Sequence, residues 1–314
     1  MFTIKAKDFD EAYFKINSYL FHNDAHEYIK TGSTAHSFHN LVIMKSADCT
    51  LRLTDINYVR NKWQQLNKLY LDPDELGSMV GRLLHYRNKQ GGKRYVPDIA
   101  MAFKRRKNMS GSCLLNLVIG YNPTSGWHAE VYSRASELTA RWYCDLIYIH
   151  VLLREIGKIL NFTPSDITVF WRMACCYQSI TSMALFLVLN GEEEWLRSHQ
   201  PEDFEKGSWK FYTVKRFWRS FVGDDYLNYG VQKRAGRAYK MLKGLIPARE
   251  PIEMNHLQIP GFEVPDDSEV IEELKDSNPM DYIILPENLV LGLDIKELAD
   301  ESAEKGDFSY GGYK

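Results

Sequence analysis

Three residues of this chain have the types and spacing to do chemistry together. Cys113 is followed by Arg134 after 21 positions, and Arg134 by Asp145 after 11. A thiol is a soft nucleophile once ionised, and a nearby guanidinium favours its thiolate. The same planar fork suits a phosphate. A carboxylate set among apolar neighbours is costly unless something polar pairs with it. Each residue also has a plainer reading. Cys113 fits a small buried hydrophobe, and Arg134 fits a surface ion pair. Asp145 fits a buried carboxylate bonded to a backbone group or to Arg141.

The elements that must position them are readable. Leu114 to Ile119 is a short apolar run with β-branched residues at its end, which suits a buried strand. Asn122, Pro123 and Gly126 supply a tight turn. Trp127 to Ser133 is a returning strand that delivers Arg134. Leu138, Trp142, Leu146, Ile149, Leu153 and Ile156 recur at steps of three and four, so a helix with one apolar face follows Glu137. Cys113, Arg134 and Asp145 then converge at one end of a hairpin and the helix that it feeds.

On these residues the chain resembles the thymidylate synthase and pyrimidine-nucleotide hydroxymethylase family. There a nucleophilic Cys begins a strand and a Y-x-R-S-x-D motif supplies a phosphate-binding Arg. Eleven residues later comes the residue that reads the pyrimidine ring. Here the motif reads Y-S-R-A-S-E around Arg134, and Asp145 stands where the family's cytosine-specific hydroxymethylases carry Asp and its synthases Asn. The resemblance covers roughly residues 8–190. It implies an α+β fold, a mixed β-sheet covered by helices, with Cys113 and Asp145 as catalytic residues. Lys93, Arg94, Arg134, Ala135, Cys175 and Tyr177 are implied to bind the nucleotide and Glu137 the folate, with no metal. Lys93 and Arg94 occupy the place of paired arginines that reach a partner subunit's phosphate, which implies a homodimer; a solvated turn is their plainer reading. The implied activity is C5 hydroxymethyl transfer to a cytosine nucleotide, dCMP or CMP, from 5,10-methylenetetrahydrofolate. Methyl transfer to dCMP or dUMP and a non-catalytic pyrimidine nucleotide-binding protein are the alternatives, beside an unrelated α+β protein that holds nucleic acid through Lys104–Lys107.

The chain departs from the family at several positions. Ala135 replaces a phosphate-binding Ser, Cys175 a His, Lys93 an Arg, and Glu137 the Asp that meets the pterin. The W-T-G-G-D run reads F-W-R-M-A. Where the family has a Glu that organises water, this chain has N-K-W-Q-Q-L; Gln64 or Gln65 can orient water but not exchange a proton at neutral pH. Almost nothing stands in place of the small subdomain between the second and third helices.

Composition sets the frame. The 314 residues are 45% hydrophobic and 13% aromatic, enough for a substantial core, and the net charge of −2 gives no general field for nucleic acid. Five cysteines without regular spacing point to reduced thiols in a cytoplasm. No apolar run approaches a bilayer span, so no membrane partner is expected. His85, His128 and His150 are scattered and read as structural.

Along the chain, helices are expected over 8–30, from Asp55 to Tyr70 with Thr54 as its cap, and over 74–86. Leu41–Met44 and Thr50–Leu53 read as two strands joined by a short loop. Val96–Phe103 and Ile167–Phe170 read as strands, and 177–189 as a buried helix. Residues 1–190 form the expected nucleotide-binding core. Residues 191–314 form a C-terminal extension, helical to 244 and then rich in proline and acidic residues, with short helices over 268–274 and 295–304.

Overall fold

The structure, a computed structural model, describes residues 2–30, 33–51, 67–68, 70–89, 95–104, 113–139, 141–219 and 286–305. The hairpin expected around Gly126 is β5 (Leu114–Asn122) and β6 (Gly126–Glu137), with Gly126 at φ +80° where a side chain would be strained. Helix α3 (Trp142–Leu160) then carries the chain over the sheet to β7 (Ile167–Ser179), which pairs with β6 in parallel. Parallel neighbours need such a crossover, which gives α3 its central place. Its expected single apolar face is an understatement. Every residue from Trp142 to Leu153 is buried, as in a helix covered on all sides. Asn161 at φ +55° ends it.

β1 (Thr3–Ala6), β2 (Tyr28–Lys30), β3 (Thr34–Met44) and β4 (Val96–Ala102) complete a seven-stranded mixed sheet ordered β1-β3-β7-β6-β5-β4, with β2 also on β3. Helix α1 (Phe9–His22), capped by Asp8, packs Phe9 edge-on against Trp171 of β7, which also meets Trp142 of α3. Helix α2 (Pro73–Lys89) buries Leu76, Met79, Val80 and Leu83 as its spacing predicts. The architecture is α+β, a mixed sheet with helices.

Several expectations are corrected. The first helix ends at His22, because Asn23 caps it and Asp24 turns the chain at φ +49°; Tyr28–Lys30 is a strand. Leu41–Met44 is the end of one eleven-residue strand, β3; Thr50 and Leu51 lie in no strand, and residues 52–53 lie outside the described residues. The first half of β3, T-A-H-S-F-H-N, has only Ala35 and Phe38 as apolar residues, and the strand buries Ser37 and Asn40 in place of apolar side chains, so no apolar alternation marks it. β7 runs on through Tyr177 to Ser179, so the buried helix α4 starts at Ile180 and ends at Leu189. Within 191–219 there are two short helices, α5 (Glu193–Arg197) and α6 (Trp209–Phe217), not a continuous one. Residues 67–68 and 70 are helical; the rest of the helix expected over 55–70, the basic residues 105–107 and the segments 220–244 and 268–274 lie outside the described residues.

The described parts of the C-terminal extension join the main core through Leu196, Trp209, Phe217, Leu289 and Ile295. Helix α7 (Ile295–Glu304) lies so close to α2 that a Cβ at Gly77 would stand 2.6 Å from the Leu298 carbonyl oxygen. Arg154 of α3 donates to the Pro286 carbonyl at 2.8 Å. Among the described residues no helix is long and apolar enough to cross a membrane.

A change of phase crosses the middle of the sheet. In β3 the buried positions are Ala35 and Ser37, then Asn40, Val42 and Met44; in β7 they run to Met173 and resume at Cys176; in β6 they run to Ser133 and resume at Ser136. The switch falls at His39, Ala174 and Arg134, all exposed, and His39 takes φ +52°. Beyond this line Ala135, Cys175, Tyr177 and His36 stand half-buried at one end of the sheet, next to the start of β5.

Candidate active site

Cys113 is placed by the hairpin itself. Its carbonyl accepts from the Arg134 amide at 2.8 Å, so the thiol at the mouth of β5 and the guanidinium leaving β6 are tied by one backbone bond. Cys113 is half-buried and Arg134 exposed. Asp145 projects from the first turn of α3, where the helix dipole favours a negative charge, and is 5% exposed. The structure gives it a partner that the sequence did not suggest: the Tyr70 hydroxyl donates to Asp145 Oδ1 at 3.0 Å. Tyr70 is held between Phe103 (ring centroids 6.0 Å) and Tyr148 (5.3 Å), and its carbonyl accepts from the Lys104 amide at 2.8 Å. Tyr148 lies one turn beyond Asp145 on α3, so one helix face carries both the carboxylate and the ring that holds its donor.

The fields at Cys113 oppose one another. Burial, then the Asp145 carboxylate, pushes the thiol above its ordinary value, while Arg141, Arg134 and a hydrogen bond from Tyr70 pull it down. Burial also raises the Tyr70 phenol, with Asp145 and Cys113 adding to the effect, so Tyr70 keeps its proton and stays a donor. Tyr70 can thus serve the carboxylate or the thiolate. Arg141, exposed at the start of α3, supplies a second guanidinium.

The remaining expected residues lie on the β6–β7 pair. Ala135 is opposite Cys175, and Glu137 opposite Tyr177. The Tyr177 phenol is raised by burial and by Glu137, and senses Arg141, Cys113 and Cys175 as well. Cys113, Arg134, Asp145, Tyr177 and Cys175 therefore share one end of the sheet. Glu137 is turned inward: it is 7% exposed, and Oε1 accepts from the Ser179 amide at 3.4 Å. Lys93, Arg94, Gln64 and Gln65 lie outside the described residues. Among the described residues no group of three or more His, Cys, Asp or Glu could hold a metal ion.

Sequence reasoning missed Tyr70, the site role of Arg141, and His36. Tyr70 has no motif around it, and only its packing beside α3 identifies it. His36 sits opposite Tyr177 on β3, with ring centroids 5.3 Å apart at 26°. The alternation of β3 could have placed His36 on the same face as Phe38, but not beside Tyr177.

No protein-family model matches the chain, and no curated protein sequence matches it. Among solved structures it is similar to a thermostable thymidylate synthase A from Bacillus subtilis, with 11% sequence identity and a TM-score of 0.38. That similarity covers 57% of this chain and 82% of the other.

Proposed function

We propose that this chain transfers a one-carbon group to C5 of a pyrimidine nucleotide, with dCMP or CMP as acceptor and a hydroxymethyl group as the unit delivered. The observation that carries the reading is a half-buried thiol flanked by two guanidiniums and a Tyr70–Asp145 pair. Cys113 Sγ adds to C6 of the ring, the C5–C6 π pair moves to C5, and C5 becomes the nucleophile. Arg134, with Ala135 beside it, faces the phosphate, and Tyr177 and Cys175 line the sugar side. Asp145 accepts from the 4-amino group, while uracil would turn an oxygen lone pair toward it. Tyr70 holds the carboxylate and is the donor nearest the departing or returning thiolate.

The one-carbon donor implied by the resemblance is 5,10-methylenetetrahydrofolate, which would supply carbon at the aldehyde oxidation level. Glu137, the residue implied to meet it, is engaged with Ser179 and nearly buried, which does not fit an open contact with a pterin. No step of this reading runs through the folate. The homodimer belongs to the same proposal, with Lys93 and Arg94 reaching across to a partner subunit. A monomer at micromolar concentration in sedimentation, with nucleotide binding intact, would sink it.

Exchange of the C5 proton tests the nucleophile without a donor. Tritium release from C5-labelled dCMP, CMP and dUMP is expected to be fastest with a cytosine nucleotide. Cys113→Ser should leave less than about a hundredth of it, because an alkoxide is far harder to form than a thiolate. Unchanged release from the serine variant would remove Cys113 from the reaction. One observation favours a second reading, a pyrimidine nucleotide-binding protein without turnover: burial and Asp145 hold Cys113 toward its protonated form. Tight nucleotide binding with no tritium release from wild type would decide for it.

A further inference from the structure

A second thiol, which the reading above uses only as lining of the sugar side, lies at the same end of the sheet beside an imidazole that the reading does not involve. Cys175 Sγ is 3.8 Å from Nδ1 of His36, and Nε2 of that ring is 2.9 Å from the Thr34 hydroxyl. Thr34, His36 and Cys175 come from two adjacent antiparallel strands: Thr34 is opposite Ser179, His36 opposite Tyr177 and Phe38 opposite Cys175. The ladder therefore fixes all three. The imidazole is stacked on Tyr177, lies near-parallel to Phe38 at 6.5 Å between centroids, and has Tyr28 at 5.7 Å. Cys175 and His36 are both half-buried and Tyr28 is exposed, so the group opens outward and is not sealed in the core.

This is the order of parts that an activated nucleophile requires: a thiol, a base within reach and a third group that orients the base. With the ring proton on Nε2 and donated to Thr34 Oγ1, Nδ1 presents its lone pair to the thiol. Burial holds the Cys175 thiol above its ordinary value. Burial and then Lys30 hold the His36 imidazole below its own. At neutral pH both partners are uncharged, so the thiol reacts by giving up its proton as it attacks, not as a standing thiolate.

We propose that Cys175 is a second nucleophile, with His36 as its general base and Thr34 as the residue that positions the base. Its ligand class is a flat conjugated electrophile, which the aromatic rings around His36 are shaped to stack. As the S–C bond forms, the π pair of the electrophile moves to its far atom. The thiol proton passes to Nδ1 and from there to that atom, so charge and atoms balance with no further reagent.

The proposal stands apart from the role of Cys113, and its test is run in a Cys113→Ser background with N-ethylmaleimide as the probe. Cys49, Cys144 and Cys176 are buried, so peptide mass spectrometry follows Cys175. Other titratable groups about His36 are Lys30 on β2, His26 ahead of it, Tyr28, Tyr177 on β7 and Glu137 beyond Tyr177. All of them remain in the His36→Gln variant. With His36 present, the labelling rate should vary less than about threefold from pH 6.5 to 8, because the base is already neutral. In His36→Gln the rate should rise about tenfold per pH unit, as expected when only the thiolate reacts, and be at least about thirtyfold lower at pH 6.5. Thr34→Ala, which keeps both reacting groups, should fall about threefold at pH 7 and serves if His36→Gln does not fold. Cys175 labelling with the same rate and slope in both variants, or no labelling of Cys175 in the parent, overturns the proposal.

Discussion

At the scale of single residues, the site turns on who shares the Tyr70 proton. Tyr70 donates to Asp145, and the same hydroxyl lowers the Cys113 thiol, whereas the Asp145 charge raises it. Two substitutions should therefore move Cys113 in opposite directions. Tyr70→Phe should raise the pH midpoint of Cys113 alkylation, and Asp145→Asn should lower it, each followed by iodoacetamide labelling against pH in a folded variant. A shift of the same sign in both would remove the role of the residue whose variant moved against its expected direction. Asp145→Asn carries a second expectation. An amide can donate to O4 of uracil, so the preference should move from cytosine toward uracil nucleotides by roughly tenfold or more for each polar group left unpaired. Calorimetry with CMP or dCMP against dUMP measures it. If Asp145 only satisfies Tyr70, the variant loses stability and the ratio stays where it was.

At the scale of elements, the phase change across β3, β7 and β6 decides which residues stand with Cys113 at one end of the sheet. Without it, strict alternation would keep Ser37 and Asn40 on opposite faces, yet both are buried. His39 makes the change possible in β3 by taking φ +52°, a conformation open to glycine and costly for a β-branched residue. His39→Gly should unfold at a temperature equal to or above wild type. His39→Val should cost about 1–3 kcal/mol, read by chemical denaturation. Equal behaviour of the two would mean that the positive φ does not hold the bend. Past the bend, Gln178 becomes a buried hub. Its Nε2 donates to the Asn17 carbonyl and side chain of α1 at 3.0 and 2.9 Å, and its Oε1 accepts from Trp209 of α6 at 3.2 Å. The strand that presents Cys175 and Tyr177 on one face is thus anchored on the other by a fully used amide.

At the scale of the whole molecule, acid sensitivity should trace to the same hub. His26 shares Gln178 Oε1 at 3.0 Å and packs on Trp209, and burial lowers its imidazole to about 4. The folded form then binds this proton less readily than the unfolded chain, whose imidazole titrates near 6.5. Its contribution is fully present above pH 6.5 and is lost as pH falls toward 4, on the order of 2–3 kcal/mol. His26→Gln keeps a donor for Gln178 and has nothing to titrate. The gap in unfolding free energy between wild type and His26→Gln should therefore move against wild type across that window. A gap that stays constant from pH 7 to 4 would show that His26 is not held neutral.

The sequence by itself determined the elements whose local patterns are strong and self-contained. The β5–β6 hairpin, α3, α2 and α7 follow from turn residues and apolar periodicity, and with them the convergence of Cys113, Arg134 and Asp145, because one turn and one crossover set their separation. The α+β class was legible for the same reason. Local pattern misled where two signals competed. In β3 polar Ser37 and Asn40 take the buried positions, which leaves no apolar alternation to read, and the apolar run that ends at Leu189 drew the helix back over Gln178 and Ser179, which belong to β7. Only the tertiary structure decided what sits beside what across strands and from distant segments. Tyr70 reaches Asp145 over 75 positions and His36 reaches Cys175 over 139. Strand register and the packing of one segment against α3 create those contacts, and neither leaves a mark in the spacing of the residues that meet.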